Sequence, residues 1–279
     1  MMLDRYEHTL DEGFLKDTII PFTHDVLRFF DLHYETGLDG KLVMHPSQAL
    51  ETWWECTNPM PEVAGLHAVT DRLLALPENL TDPEMRKQWA EVKAKIPDLP
   101  TREVDGVKMF APAETFANCR NSEVPELYSV FPFRLCAFEK NNVELGREAF
   151  RQPGPRGHNG WRQDDIFLAY LGLTEAARKG VVSRARNTHK ESRFPAFFGP
   201  NMDWTPDQTH GGVLQKALQA MILQTEGKKI FIAPAWPKEW NIEFKLHAPY
   251  KTVVEGKVVD GELVDLKVTP ESRRKDVVD

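Results

Sequence analysis

The chain has few cysteines: Cys56, Cys119 and Cys136 are far apart, and no CxxC spacing occurs. That set makes neither a zinc site nor a convincing disulfide framework. A basic surplus is also missing. The net charge of −7 argues against nucleic acid or an anionic membrane as the main partner, because both need a basic surface. No apolar run approaches the roughly 20 residues that span a bilayer. The first residues, "MMLDRYEHTLDEGF", are acidic and polar rather than a signal peptide, so the compartment is left open. Neither a repeat nor a low-complexity tract stands out.

What is present suits a globular protein. The 279 residues are 41% hydrophobic and 28% charged, enough for a sizeable core. Over 12–34, Phe14, Ile19, Phe22, Val26, Phe29 and Phe30 fall at helical spacing, with Pro21 as an expected kink. Residues 35–59 read as a polar and aromatic connection. Helices are predicted at 61–76 and 82–95, the second opened by Asp82-Pro83-Glu84. Residues 97–115 read as loop with a hairpin at Asp105-Gly106. Further helices are predicted at 125–138, 142–150, 161–172, 174–187 and 211–226. From residue 227 the segments turn short, alternating and β-branched, with a hairpin at Asp260-Gly261. The predicted organisation is a mainly helical domain over 1–226 and a small antiparallel β domain over 227–279.

The chemistry is sought in the connections, where Trp53, Trp54, Trp161 and Trp204 lie. Aromatic faces suit the apolar faces of sugar rings, although most tryptophans in a chain of this size are core. Glu51, in "HPSQALETWWE", is next to two of them. A carboxyl against aromatic rings is poorly solvated and can stay protonated, as a general acid must; a surface glutamate is the plain alternative. Asp207, in "TPDQTHGG", precedes a helix whose N-terminus would hold a carboxylate ionised, as suits a general base. It could equally be a helix cap, and Asp203 a turn residue. Gly211-Gly212 would let backbone approach a ligand, and His210 would add a polar contact. A paired acid and base with aromatics between is the layout of a glycoside hydrolase.

At these residues the chain resembles glycoside hydrolase family 95, the inverting α-L-fucosidases and α-L-galactosidases. "DGKLVMHPSQALET" resembles that family's "GYLVTSPSTSPEN", with Glu51 on its general acid. "DQTHGG" followed by "IFIAPAWPKEW" is similar to "DGNFGG…LLPALP", with Asp207 on its general base. Trp161 matches a shared Gly-Trp, and "ELYSVFP" is similar to "HLYGLYP". The resemblance implies an (α/α)6 barrel of the six-hairpin glycosidase type followed by a C-terminal β domain. It implies an oligosaccharide or polysaccharide substrate, no cofactor, and a periplasmic or secreted enzyme.

The departures alter the sugar subsite. Ser122-Glu123 stands where the family has Arg-His, Glu126 where it has histidine, and "RQDD" follows Gly160-Trp161 in place of an aromatic run. The subsite therefore differs from one for α-L-fucose. Large bacterial proteins that share "NPELYAVFPFRL", "GWRQDD" and "FKLHAPY…TVEG" are more similar still. The helical patterns are fewer than six hairpins require, and no upstream asparagine block precedes Glu51. The expectation is thus an incomplete barrel, the C-terminal portion of a larger enzyme whose N-terminal half is missing, inactive alone and with Phe14, Phe22, Phe29 and Phe30 short of partners.

The predicted mechanism is inverting hydrolysis: Glu51 protonates the leaving oxygen, and Asp207 activates a water from a carboxyl roughly 6.5–9.5 Å away. Trp53, Trp161, Trp204 and His210 are expected to shape the sugar pocket, with Glu123 and Asp164 binding hydroxyls. Two rivals remain: a non-catalytic carbohydrate-binding or scaffold remnant, and a polysaccharide lyase or glycosidic phosphorylase on the same fold.

Overall fold

The computed structural model describes residues 1–154, 156–188 and 208–278. Two compact units divide the chain: Met1–Tyr6 with Asp11–Pro155, and Glu7–Leu10 with Arg156–Asp279. This line differs from the boundary expected at 226/227. The reason is that the last three helices pack on one another, and the first strand of the C-terminal β region continues directly from the last helix.

Helix α1 (Met2–Thr9) opens the chain, with its last three residues counted in the second unit, and the first unit continues with a short α2 (Glu12–Phe14), where Asp11 caps the Phe14 amide. A π turn, Leu15–Ile19, leads into α3 (Ile20–His33). Pro21 falls in the first turn of α3, where a missing N–H costs least. The buried stripe is Leu15, Ile19, Ile20, Thr23 and Leu27, while Phe22 and Phe29 are 57% and 55% exposed. The helix is apolar on more than one side, and the phenylalanine pattern marks the side that this unit leaves in solvent.

Residues 35–59 are not a plain connection. A two-stranded ladder, β1 (Glu35–Thr36) with β2 (Leu42–Val43), is followed by β3 (Ser47–Ala49) and β4 (Trp53–Pro59), which pair antiparallel. The first three are too short to carry a period, and the seven residues of β4 do not alternate in burial, so their partners decide them.

Helices α4 (Met60–Leu74) and α5 (Pro83–Lys95) lie where capping chemistry puts them. The Asp82 carboxylate accepts from the amides of Glu84 and Met85 at 2.9 and 3.0 Å, and Pro83 takes the first helical position. Val63, Leu66 and Leu73 of α4 and Trp89 and Val92 of α5 are buried. The hairpin β5 (Thr101–Val104) and β6 (Val107–Phe110) turns at Asp105-Gly106, both at positive φ (52° and 77°) as a tight hairpin needs. Strand β7 (Ala113–Thr115) then joins β4, giving the order β3-β4-β7.

The helix expected at 125–138 is absent. A single 3-10 turn, Pro125–Leu127, gives way to irregular turns that still bury Leu127, Val130, Cys136 and Ala137. Pro132 has no amide to donate and would clash within a helix. Helix α6 (Val143–Arg151) closes the unit and contacts β6.

The second unit packs α7 (Asp164–Tyr170), α8 (Thr174–Arg186) and α9 (Thr209–Ile222) together. The first six residues of α7 are all buried, as expected of a helix covered on every side. The chain leaves α9 straight into β8 (Leu223–Glu226), which pairs with β9 (Lys229–Ile232). The Gln224 amide donates to the carbonyls of Ala169 and Ala220, both at 2.9 Å, and fastens β8 to α7. The expected antiparallel region follows as the meander β10 (Ile242–Ala248), β11 (Thr252–Val259), β12 (Glu262–Thr269), turning at Asp260-Gly261. A final β13 (Val277–Val278) pairs parallel with β9. Ile230, Ala248, Val254 and Val268 form the core of this region.

Candidate active site

Glu51 lies at the tip of the β3–β4 hairpin, where Ala49 pairs with Trp53 and Leu50 takes a positive φ of 54°. The tip is built by polar contacts. Glu123 Oε2 accepts from the Glu51 amide at 2.8 Å and from the Thr52 hydroxyl at 3.1 Å. The Glu123 amide in turn donates to the Thr52 hydroxyl at 3.0 Å. The Trp54 indole N–H donates to the Glu51 carbonyl at 2.9 Å. These bonds hold the turn while the Glu51 side chain stays exposed, its Oε2 accepting from Asn121 Nδ2 at 3.2 Å.

This corrects the expectation that tryptophan rings bury the Glu51 carboxyl. Trp53 and Trp54 are consecutive on a strand, so their side chains leave on opposite faces. Trp53 packs edge-on against Phe116, with ring centroids 4.9 Å apart. Trp54 is 45% exposed, with the Arg120 guanidinium 4.5 Å above its ring. The indole N–H of Trp54 reaches Glu51 at its backbone carbonyl, not at its carboxylate. Glu123 also has a different first role from the expected hydroxyl contact: one carboxylate oxygen is committed to holding the turn.

The second unit gathers a denser cluster on the loop before α7. The Asp165 carboxylate is fully buried, with one oxygen accepting from Arg184 Nε and the other 2.5 Å from His158 Nδ1. Arg184, also fully buried, donates to the carbonyls of Gly160 at 2.8 Å and Arg162 at 2.6 Å. His210, in the first turn of α9, completes the clasp. The Gly160 amide donates to its Nδ1 at 3.1 Å, so the proton sits on Nε2, which donates to the Arg184 carbonyl at 2.9 Å. Burial pushes His210 below the usual histidine range, in keeping with that neutral tautomer.

His210 is therefore not the open polar contact that was expected. It is 2% exposed with both ring nitrogens engaged, and it positions Gly160 beside Trp161. Trp161 is half-buried, with the Arg162 guanidinium 5.3 Å over its ring. Asp164 is 1% exposed, and among the described residues its Oδ1 has no hydrogen-bond partner; Arg156 Nε stands 3.9 Å away. Burial raises the Asp164 carboxyl above its ordinary range, against the pull of Arg156 and Arg162. His158 moves up as well, chiefly through its hydrogen bond to Asp165. Trp204, Asp203 and Asp207 lie outside the described residues.

His158, Asp165 and Arg184 escape the sequence reading, though a signal existed. On α8, Ala177, Gly180, Val181 and Arg184 recur at core-face spacing and all are buried. A basic residue in such a stripe needs a buried acid, and Asp164-Asp165 is the acidic pair at the start of a neighbouring apolar helix. Among the described residues no cluster of metal-ligating side chains occurs.

No protein-family model matches the chain, and no curated protein is similar to it. Among solved structures it is similar to "Putative kojibiose phosphorylase from human microbiome", with a TM-score of 0.55 and 10% identity. The match covers 94% of this chain and 44% of that one, so the chain spans less than half the length of that protein. Over the matched region the chain shares the fold of that protein. At this identity the likeness carries the fold alone, and nothing in it is specific to glycoside hydrolase family 95.

Proposed function

We propose that the chain is part of a carbohydrate-active enzyme that cleaves a glycosidic bond with inversion. The observation that supports this reading is the likeness of fold, over 94% of the chain, to a solved structure described as a putative kojibiose phosphorylase. In this reading Glu51 gives its proton to the glycosidic oxygen as the bond to the anomeric carbon breaks. Asp207 takes a proton from the water whose oxygen bonds that carbon from the opposite face. Glu123 and Thr52 hold the acid's turn, while Trp53, Trp161 and Trp204 supply faces for sugar rings. Bound substrate excludes water from Glu51, which the described residues leave exposed.

The test is turnover of oligosaccharides by the intact enzyme that contains this chain. Glu51→Gln and Asp207→Asn should each reduce it at least about 10²-fold while the melt is unchanged. Unaltered turnover in either variant removes that residue from the mechanism. Phosphorolysis is the second reading, favoured by the similar structure's description as a phosphorylase. Phosphate would then replace water as the attacking group, and products formed with and without phosphate separate the two. Sugar affinity with no turnover under either condition would leave a binding remnant.

A further inference from the structure

We infer that Asn121 positions the acid: its side-chain amide fixes which oxygen of Glu51 carries the proton to the glycosidic oxygen. This rests on the reading of Glu51 as the acid, and adds what aims its proton. Glu51 is exposed, and the last torsion of a glutamate is broad, so the plane of a free carboxyl there is undefined. Among the described residues Asn121 makes the contact that defines it, its Nδ2 donating to Glu51 Oε2 at 3.2 Å. The other half of the amide settles its orientation. Asn121 Oδ1 accepts from the Ser122 amide at 2.8 Å, so the oxygen faces the backbone N–H and the nitrogen faces the carboxylate.

The segment that carries Asn121 is fastened on both sides of it. Before it, Asn118 Nδ2 donates to Glu55 Oε2 at 2.7 Å, and Cys119 pairs with Trp53 in a single antiparallel β-bridge. The Arg120 amide donates to the Thr52 carbonyl at 2.8 Å. After it, Glu123 accepts from the Glu51 amide and the Thr52 hydroxyl. Acid and amide therefore share one frame, as a group that orients another must.

A neutral carboxyl accepts best at its carbonyl oxygen, so a donor at Oε2 leaves Oε1 to bear the proton. When the bond to the anomeric carbon breaks, its electron pair stays on the leaving oxygen, which takes the proton from Oε1. Negative charge then spreads over both carboxylate oxygens, and the bond from Asn121 becomes charge-assisted and stronger. An interaction that grows in the transition state raises the rate without tightening ground-state binding. The same holds whether water or phosphate attacks. Holding the loop alone would be met by Oδ1 and needs no donor aimed at the acid.

The experiment is a double-mutant cycle in the intact enzyme, read with two glycosides of the sugar it turns over. One carries a dinitrophenyl leaving group, which departs without a proton, and the other a methyl leaving group, which needs one. Asn121→Ala should lower kcat on the methyl glycoside about tenfold, the usual worth of a charged hydrogen bond, with KM and melt unchanged. That loss should vanish with the dinitrophenyl glycoside. Asn121→Asp keeps the acceptor for the Ser122 amide and removes the donor, so it should lose at least as much. In the Glu51→Gln background Asn121→Ala should cost nothing further, because its effect passes through that carboxyl. Equal losses on both glycosides, an additive loss in the double variant, or undiminished turnover by Asn121→Ala would overturn the proposal and leave Glu51 as the acid. Undiminished turnover of the methyl glycoside by Glu51→Gln would remove the acid itself, and the role of Asn121 with it.

Discussion

Glu62 offers the sharpest test of how this chain balances burial against charge. It sits in the first turn of α4, where a helix dipole favours an ionised carboxylate. Burial outweighs that preference and raises the carboxyl from 4.5 to about 7, and its buried Oε2 has no hydrogen-bond partner among the described residues. In the unfolded chain the group ionises first, near its ordinary pKa. Its contribution to stability is therefore complete at low pH and is lost as pH rises through about 7. Integrating the two titrations gives a loss of about 2–3 kcal/mol between pH 5 and pH 8. Glu62→Gln keeps the shape and cannot ionise, so it should gain on wild type by that amount over the interval. Urea titrations of both proteins at pH 5 and pH 8 read the difference directly. A stability gap that is the same at both pH values would show that Glu62 ionises freely in the folded state, and burial would not be controlling its charge.

Three further outcomes follow from the polar clusters. Gly180→Ala puts a methyl group into Asp165 and His158, and the melt should show a loss of about 1–3 kcal/mol. Arg184→Leu leaves Asp165 buried without its cation, which should cost about 3–5 kcal/mol, and adding Asp165→Asn should recover part of it. Glu123→Gln replaces a charged acceptor at the Glu51 turn. Turnover by the intact enzyme should fall several-fold with little change in melt.

How much of this was legible in the sequence depends on how local each signal is. The Asp82-Pro83 helix start and the two Asp-Gly hairpins are read from a few adjacent residues, and all three stand in the structure. The three-stranded sheet under Glu51 was invisible, because β4 meets β7 from more than fifty residues away, β7 has only three residues, and the seven of β4 do not alternate in burial. At 125–138 the apolar spacing outvoted Pro132, although a proline is the stronger local statement. In α3 the period was legible and the buried side was not: Ile19 lies on the expected face and is buried, Phe22 and Phe29 are exposed as residues short of partners would be, and Ile20, Thr23 and Leu27 hold the core. Periodicity says that a helix has a face, and only its partners say which face they want.

The same distinction explains Glu123. Compared with the family that the sequence resembles, a glutamate where an Arg-His pair is expected reads as a changed sugar contact. The hydrogen bonds instead commit it to the backbone, because it accepts from the Glu51 amide and the Thr52 hydroxyl across seventy-odd residues of sequence. Neither an arginine nor a protonated histidine could do this, since both only donate. Exchanging Glu123 for the family's cation would therefore leave the Glu51 amide without its acceptor, so the substitution and the turn have to change together. The loop before α7 follows the same logic with signs reversed, an arginine donating to two loop carbonyls. In both places a charged side chain satisfies loop backbone that no strand or helix pairs, which sets the candidate groups more firmly than apolar packing at an exposed turn could.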